Sequence, residues 1–344
     1  MHVSLIVPAP FDTISGGYGY DRRIVAGLRA AGHTVAVMEL PGTYPICDEA
    51  ARDAACTAWD RLPDGTKPVI DGLALPAFRG LDDAISVRAA VGLIHHPLSI
   101  ETGLAAPDRA ALADIEHRLL PRLTRLIVTS ETTAGTLSGP FHIPEDRLRV
   151  VIPGTDDAPR KAARRGPGCE ILAIGTLIPR KGHDLLLRAL ARLWDLDWHL
   201  TIVGSSVRDP PHAHGLMALA RELDIEPRVR FAGEMVGEDL ESAWAVADFF
   251  ALATHYEGYG MAIAEALKRG LPAVVTNGGA AGHLLTPDSG CVCPVDDRDQ
   301  VSKALRRLIF DIDLRHDMAE AAWRVGQTLP SWQAQAELFA QALA

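Results

Sequence analysis

Several features that would restrict the function are scarce in this 344-residue sequence. Its five cysteines are an odd number without the spacing of a zinc site, which is typical of a reducing compartment rather than of a disulfide-linked secreted protein. The net charge of −10 argues against a general nucleic-acid-binding protein, which normally has a broad basic face. No apolar run approaches the roughly 20 residues that span a bilayer, and the N-terminal run HVSLIV is shorter than a signal-peptide core. We therefore expect a cytoplasmic protein that binds neither nucleic acid nor membranes.

The sequence does contain enough apolar residues for two hydrophobic cores. Single cores stop growing at about 250–300 residues, so a chain of this length is expected to form two domains. Strand and helix patterns alternate along both halves, which indicates an α/β fold with parallel sheets covered by helices. Between the halves, APRKAARRGPG (158–168) is rich in Pro, Gly, Ala and positive charge and has no apolar period. We predict Rossmann-like domains at 1–157 and 169–329 that face a cleft, joined by this linker.

The stretch EGYGMAIAE carries two glutamates, Glu257 and Glu265, with seven residues between them. On a continuous helix their Cα atoms would be about 12 Å apart along the axis. The carboxyls of glycosidases face each other at roughly 5–9.5 Å, so this spacing is poor for an acid pair and suits two contacts to one elongated ligand. Gly258 and Gly260 are expected to keep Glu257 in a loop, with a helix that begins near Gly260. The free amides of its first turn would favour anionic or oxygen-rich groups.

A second chemistry-bearing loop is GTLIPRKGHD (175–184), which follows the first strand of the second domain. Arg180 and Lys181 come just before a predicted helix, where two cations form a phosphate-binding arrangement. The alternative is a solvated basic turn. Because parallel strands end at one sheet edge, we expect these cations near Glu257 and Glu265, which favours the phosphate site.

Two loops of the first domain are further candidates. Gly16 and Gly17 follow the first strand and would let the backbone approach a ligand. An NAD-dependent oxidoreductase is an alternative whose dinucleotide fingerprint, G-x-G-x-x-G, is only partly present, because Arg22 stands where the last glycine is required. His95 and His96 follow a later strand and could hydrogen-bond a hydroxyl group or relay a proton, or form a structural pair. No third ligand for zinc is evident beside them.

Two other pairs are interpreted without a function. The segment PPHAHG, which contains His212 and His214, is expected to form an exposed loop. Cys291 and Cys293 are interpreted as small buried residues rather than as metal ligands.

Together these motifs resemble family 4 of the retaining glycosyltransferases, which have the GT-B architecture of two Rossmann-like domains. The resemblance covers nearly the whole chain and is strongest from 171 to 297. It is carried by SGG, LRAAGHTVAV, AIGTLIPRKGHDLLLRAL, IVGSS, RVRFAGEM, YEGYGMAIAEALKRGLPAVVTNGG and LPSWQ.

The resemblance implies a nucleotide-sugar donor site in the second domain and an acceptor side in the first, to which a C-terminal helix at 330–344 returns. Glu257 would lie near the donor sugar, Glu265 at the ribose, and Arg180 and Lys181 at the diphosphate, with help from the backbone of Gly16 and Gly17. His95 or His96 would lie near the reacting side of the sugar. The remaining donor-binding positions would be Gly204, Glu234, Met235, Val236, Gly258, Tyr259, Gly260 and Met261.

The family further implies retention of configuration and no metal ion or other cofactor. The donor would be a UDP-, GDP- or ADP-linked sugar. An acidic segment at 44–66 favours a soluble acceptor over a lipid, because anionic membrane surfaces attract basic residues. Arg118, Arg122 and Arg125 form a stripe that is interpreted as a solvated face. A protein that binds a sugar nucleotide without turnover is the other alternative. The sequence departs from the family pattern at Gly282, where a glutamate is usual.

Overall fold

The computed structural model describes residues 1–162 and 168–344, so 163–167 of the predicted linker lie outside the described residues. The chain forms two compact units. Unit 1 comprises Met1–Gly154 and Pro330–Ala344, and unit 2 comprises Thr155–Leu329. Each unit contains one parallel six-stranded sheet with helices between the strands, so the prediction of two Rossmann-like units is confirmed.

The sheet of unit 1 has the strand order β2-β1-β3-β4-β5-β6, and every pairing is parallel. Its strands are short and mostly buried, as parallel strands covered on both faces must be. The strands are β1 His2–Pro8, β2 Thr34–Leu40, β3 Lys67–Asp71, β4 Val91–Ile94, β5 Arg125–Val128 and β6 Leu148–Val150. The helices are α1 Gly16–Ala30, α2 Glu49–Asp60, α3 Asp82–Val87, α4 Ala106–Leu119, α5 Glu131–Ser138 and α12 Trp332–Leu343.

The last helix, α12, packs on α1 within unit 1. A Cβ atom on Gly27 would lie 2.4 Å from the Cβ of Ala336, so the absence of a side chain at Gly27 permits this close approach. Trp332 at the start of α12 makes an edge contact with the buried Tyr20 of α1, with 5.8 Å between ring centroids. These contacts explain why the C-terminal residues belong to unit 1.

The sheet of unit 2 has the order β12-β11-β10-β7-β8-β9, again entirely parallel. Hydrophobic clusters cover both of its faces. The strands are β7 Glu170–Ile174, β8 His199–Val203, β9 Val229–Gly233, β10 Phe249–Leu252, β11 Ala273–Thr276 and β12 Gly290–Cys293. The helices are α6 His183–Leu190, α7 Pro210–Glu222, α8 Gly237–Val246, α9 Met261–Lys268, α10 Arg298–Phe310 and α11 Ile312–Thr328.

The prediction that His212 and His214 lie in an exposed loop is wrong, because both residues lie in the first turns of α7. The Asp209 side chain caps the helix by accepting a hydrogen bond from the His212 amide at 3.1 Å. Pro210 and Pro211 occupy the first helical positions, where a missing N–H has no cost. Among the described residues, no helix has the length and apolar character needed to cross a membrane.

Candidate functional site

The strand order of unit 2 places a ligand crevice at one point of the sheet. The order reverses between β7 and β10, and open parallel sheets bind ligands beyond the carboxyl ends of the strands at such a switch point. The loop after β7 carries Arg180 and Lys181, and the loop after β10 carries Glu257. The structure therefore brings the predicted cations and the first predicted glutamate to the same place.

Glu257 lies at the centre of a buried charge cluster. Its Oε1 accepts a hydrogen bond from Lys181 Nζ at 2.6 Å and one from Thr254 Oγ1 at 3.0 Å. The Arg180 Nη1 atom lies 3.8 Å from the same oxygen. The pair of cations is therefore organised by Glu257 itself, which the sequence motifs do not reveal.

The charge cluster also sets the protonation state of Glu257. Burial by itself would raise the pKa of this carboxyl group, because a low-dielectric environment disfavours its charged form. The charges of Lys181 and Arg180 and the hydrogen bonds from Lys181 and Thr254 outweigh burial and hold the pKa below its usual range. Glu257 is consequently ionised at neutral pH.

The two loops are locked together through their backbones. Arg180 Nη1 donates to the Tyr256 carbonyl at 2.7 Å, and the Arg180 carbonyl accepts from the His255 amide at 2.8 Å. Gly182 ends the first loop with φ +60, and a Cβ atom there would lie 1.9 Å from the Ala253 carbonyl oxygen. A larger residue at Gly182 would therefore push the two loops apart.

Gly204 and His183 support the first loop from behind. A Cβ atom on Gly204 would lie 2.0 Å from the Gly175 carbonyl oxygen, so the loop after β8 passes close to the loop after β7. His183, the first residue of α6, is completely buried, and its Nε2 lies 3.1 Å from the same carbonyl. Burial lowers the pKa of His183 to about 4, so the ring is neutral and Nε2–H donates. Sequence reasoning assigned this histidine no role.

The start of α9 matches the predicted helix N-terminus. Its first residue is Met261, and Gly260 takes the N-cap position with φ +103 and no capping side chain among the described residues. The Ile263 and Ala264 amides both donate to the Gly260 carbonyl, at 2.9 Å and 3.1 Å. The first-turn amides that can face an anionic ligand are therefore those of Met261 and Ala262. Glu265 lies one turn further along α9 and is half-buried.

The double glycine after β11 holds the backbone of Glu257. The Glu257 amide donates to Gly278 at 3.1 Å, and its carbonyl accepts from Ala280 at 2.8 Å. Gly279 has φ +63, and a Cβ atom there would lie 2.3 Å from the Glu257 carbonyl oxygen. A Cβ atom on Gly282 would lie 2.9 Å from Val292 Cγ1, so the glutamate usual at this position would require the Val292 side chain to move.

The remaining donor-side positions lie in the same loops or beyond β9. Tyr259 is buried between Gly258 and Gly260, while Met235 is half-buried. Val236, which precedes α8, is 61% exposed, and Glu234 is also exposed. Met235 and Val236 thus form an apolar surface beside the end of β9, next to the carboxylate of Glu234.

In unit 1 the first predicted glycine loop is shorter than expected. Helix α1 already begins at Gly16, with Ser15 as its N-cap. A Cβ atom on Gly17 would lie 3.4 Å from the His95 ring, so the helix start adjoins this histidine. Glu39, in β2, accepts a hydrogen bond from the Phe11 amide at 2.8 Å, and the carboxylate thus holds the loop after β1.

His95 and His96 have different surroundings. His95 Nε2 lies 3.1 Å from Asp21 Oδ1 and 3.5 Å from Asp71 Oδ2, whereas His96 Nε2 lies 3.2 Å from Glu101 Oε2. The sequence shows no third zinc ligand at useful spacing beside the two histidines; in the fold, carboxylate oxygens of Asp21 and Asp71 and the His95 nitrogen lie within 4.8 Å of one another. Sequence reasoning missed Asp21 and Asp71, although Asp71 ends β3 at the edge where ligands bind.

The arginine stripe on unit 1 is engaged within the protein. Arg118 pairs with Asp82 at 2.7 Å, and Arg122 lies 3.7 Å from Asp83. Arg125 donates to the carbonyl of Ala342. These contacts account for the stripe without an anionic membrane surface.

Comparison with known proteins agrees with this geometry. Residues 155–325 match the family model of the glycosyl transferases group 1. The chain is 31% identical over 274 residues to the D-inositol 3-phosphate glycosyltransferase of Salinispora arenicola (strain CNS-205), covering 69% of this chain and 60% of that protein. It is 35% identical over 239 residues to the enzyme of the same name from Mycolicibacterium gilvum (strain PYR-GCK), covering 63% and 50%. The chain thus spans half to three fifths of the length of these relatives.

Solved structures share the fold across nearly the whole chain. The sucrose-phosphate synthase of Thermosynechococcus elongatus matches with a TM-score of 0.82 at 18% identity, covering 98% of this chain and 97% of that one. The Anabaena protein HepE, solved with UDP and glucose, matches with a TM-score of 0.77 at 16% identity, covering 99% of both chains. These likenesses show a GT-B fold. Residues 155–325, which make up nearly all of unit 2, belong to the glycosyl transferases group 1 family.

Proposed function

We propose that this protein is a retaining glycosyltransferase that needs no metal ion. It transfers a sugar from a nucleotide-diphosphate sugar to a hydroxyl group of a soluble acceptor, a small molecule or a saccharide. The observation that carries this proposal is the cluster of Arg180 and Lys181 around Glu257, next to the uncapped N-terminus of α9. Two cations and free amides at a sheet switch point suit a diphosphate.

Within unit 2 the proposed roles follow the positions of the residues. Arg180, Lys181 and the amides that begin α9 bind the diphosphate, and Glu257 holds the cations in place and faces the donor sugar. Glu265 accepts hydrogen bonds from the ribose hydroxyls. The nucleobase lies against Glu234, Met235 and Val236, where an exposed apolar residue adjoins a carboxylate. Gly204 keeps the loop after β7 in its conformation.

These residues would lower the barrier mainly by electrostatic stabilisation of the departing diphosphate. As the bond between the anomeric carbon and the diphosphate oxygen breaks, negative charge builds up on the departing diphosphate. Preorganised donors aimed at such charge are often worth several kcal/mol of barrier reduction. Arg180 and Lys181 supply those donors. In the proposed retaining step the acceptor oxygen bonds to the same face of the carbon, and its proton moves to a diphosphate oxygen.

In unit 1 we assign His95, rather than His96, to contact with a hydroxyl group of the sugar or the acceptor. The His95 ring is 21% exposed and is held by two buried carboxylates, while His96 is engaged with Glu101. Gly16 and Gly17 bring the start of α1 beside this ring. Unit 1 is thereby proposed as the acceptor side.

The acceptor class and the compartment are also proposals. The arginine stripe of unit 1 is satisfied by Asp82, Asp83 and a carbonyl group, which supports a soluble acceptor over a lipid. The relatives are named for an inositol phosphate acceptor and HepE is solved with UDP, so a polyol acceptor and a UDP-sugar are the first pair to test. All five cysteines are free, which supports a reducing, cytoplasmic compartment.

The test is incubation with UDP-, GDP- and ADP-linked sugars, alone and with polyol and saccharide acceptors, followed by mass spectrometry. We expect release of one nucleoside diphosphate and a glycosylated product whose anomeric configuration, read by NMR, matches the donor. EDTA should leave the rate unchanged. Glu257→Gln should abolish transfer, while Glu222→Gln, on the exposed end of α7, should not. Binding of a sugar nucleotide without any turnover would instead indicate a non-catalytic sensor.

A further inference from the structure

A second constellation of buried charge lies at the switch point of unit 1. The order of its sheet reverses between β1 and β3. Asp71 is the last residue of β3, Asp21 lies on α1 after β1, and His95 follows β4. Topology thus brings a histidine and two carboxylates from three separate segments to the edge where open parallel sheets bind ligands.

The two carboxylates share one ring nitrogen. Asp21 and Asp71 have side chains that are only 2% and 6% exposed, and His95 Nε2 lies 3.1 Å and 3.5 Å from their oxygens. Asp71 also accepts a hydrogen bond from the Leu73 amide at 2.8 Å. Buried carboxylates are costly unless they are paired, and a protonated imidazole is the cation that these described residues provide.

Neighbouring groups fix the orientation of the ring. Tyr20 contacts it edge-on, with 5.3 Å between ring centroids, and the Tyr20 hydroxyl is itself tied to the Val151 carbonyl at 2.9 Å. The His95 carbonyl accepts hydrogen bonds from the hydroxyls of Thr129 and Thr133 at 3.2 Å and 3.3 Å. The ring therefore has its Nε2 directed at the carboxylates.

We propose that Asp21 and Asp71 are positioning residues for His95, which hold its Nε2–H inward and keep the ring protonated at neutral pH. The Nδ1–H group is then the donor that the ring offers to a hydroxyl oxygen of a bound ligand. This inference rests on the proposed function for the identity of that ligand, but the state of the ring is a property of the free protein.

The electrostatics of the constellation agree with its geometry. Burial by itself would lower the pKa of His95, but the charges of Asp21 and Asp71 and the hydrogen bond to Asp21 raise it. Burial and the nearby charge of Asp21 raise the pKa of Asp71 to about 7. Tyr20, the other titratable group against the ring, has a pKa well above its ordinary value, first because of burial and second because of Asp21. Tyr20 therefore stays neutral at neutral pH.

The test is an NMR titration of the free protein with 15N-labelled histidine between pH 5 and 9, using His95→Gln to assign the His95 signals. We expect His95 to be doubly protonated at pH 7. Asp21→Asn should lower its pKa by about 1–3 units, the range for loss of an opposite charge within about 4–6 Å. Glu101→Gln is the matched control, since it removes the partner of His96 and should leave the His95 titration unchanged.

Three results would overturn the proposal. The first is a wild-type His95 that titrates below its ordinary value of 6.5. The second is a His95 pKa that neither Asp21→Asn nor Asp71→Asn changes; if one variant does not fold, the other and the wild-type titration decide. The third is release of a stoichiometric divalent cation by EDTA with a shift of the His95 signals, because the carboxylates would then hold a metal ion instead of a proton.

A kinetic readout ties the ring to the reaction. If His95 must be protonated, Asp21→Asn should move the alkaline limb of the pH–rate profile to lower pH, whereas a purely structural change would scale the whole profile. A profile of unaltered shape would contradict the assigned use of the ring. If no transfer occurs at all, the proposed function fails while the NMR result on the free protein still stands, so the two failures are distinguishable.

Discussion

Replacement of Lys181 by Met probes the proposed diphosphate site at the shorter of the two contacts between a cation and Glu257. Lys181 Nζ lies 2.6 Å from Glu257 Oε1, and the two side chains are 15% and 10% exposed. The aliphatic part of Lys181 packs against Gly175, where an added Cβ atom would lie 3.1 Å from Lys181 Cδ. Methionine keeps most of this aliphatic packing and removes the charge, so the variant isolates the electrostatic contribution.

Two magnitudes follow from this environment. Removal of one partner from a buried ion pair costs roughly 3–5 kcal/mol of folding stability. Thr254 still donates to Glu257 and Arg180 remains 3.8 Å away, so we expect the lower end, about 3 kcal/mol. For transfer, loss of one preorganised donor to developing negative charge costs about 2.7–4 kcal/mol, or a 10²–10³-fold decrease in kcat.

The assay combines urea unfolding with initial rates of nucleoside diphosphate release under saturating donor. Lys303→Met is the matched control, because it removes the same charge from an exposed position on α10. It should change neither stability nor kcat by more than a small amount. A folded Lys181→Met variant that transfers sugar at the wild-type rate would refute the role of Lys181 at the diphosphate.

The remaining predictions concern the ribose contact, pH and the loop backbone. Glu265→Gln should weaken nucleoside diphosphate binding about tenfold, because hydrogen bonds to charged groups contribute about 1.5–3 kcal/mol; an unchanged Kd by calorimetry would contradict this. The unfolded state protonates His183 below about pH 6.5, and the native state only near pH 4. The contribution of the neutral His183 ring to the free energy of unfolding is therefore fully present above pH 6.5, and about 3 kcal/mol of that free energy is lost as the pH falls towards 4. Urea unfolding at pH 7.5 and 4.5 should show a smaller decrease in unfolding free energy for His183→Gln than for the wild type. An equal decrease in both proteins would argue against this role of His183. Gly182→Ala should destabilise the fold by at least about 2 kcal/mol, because φ is positive and Ala253 is in the way, whereas Gly215→Ala in α7 should be neutral or stabilise by up to about 1 kcal/mol. Equal unfolding midpoints for the two glycine variants would contradict the proposed backbone constraint.

Sequence periodicity and the edge rule for parallel sheets predicted the alternating strands and the donor-side loops. They placed Arg180, Lys181 and Glu257 at one sheet edge because each follows a strand. They could not show that Lys181 pairs directly with Glu257, since that contact joins residues 76 positions apart and depends on how Gly182 and Gly279 bend their loops.

The first unit was harder to predict because its signals are weaker. Asp21 stands in a run of charged residues on α1 that suggests a solvated face, yet it is buried against His95. Helix α2 was not predicted because its buried positions are mainly alanines, such as Ala51 and Ala55, which give little hydrophobic contrast. Asp71 could have been identified from its position at the end of β3.

The most direct test of the central claim is calorimetric titration with UDP, GDP and ADP, each compared with its nucleoside monophosphate. The account predicts that one diphosphate binds wild-type protein at least tenfold more tightly than its monophosphate, and that Lys181→Met loses this difference. Equal binding of diphosphate and monophosphate, or a preference for the diphosphate that survives Lys181→Met, would contradict a diphosphate site built by Arg180, Lys181 and Glu257.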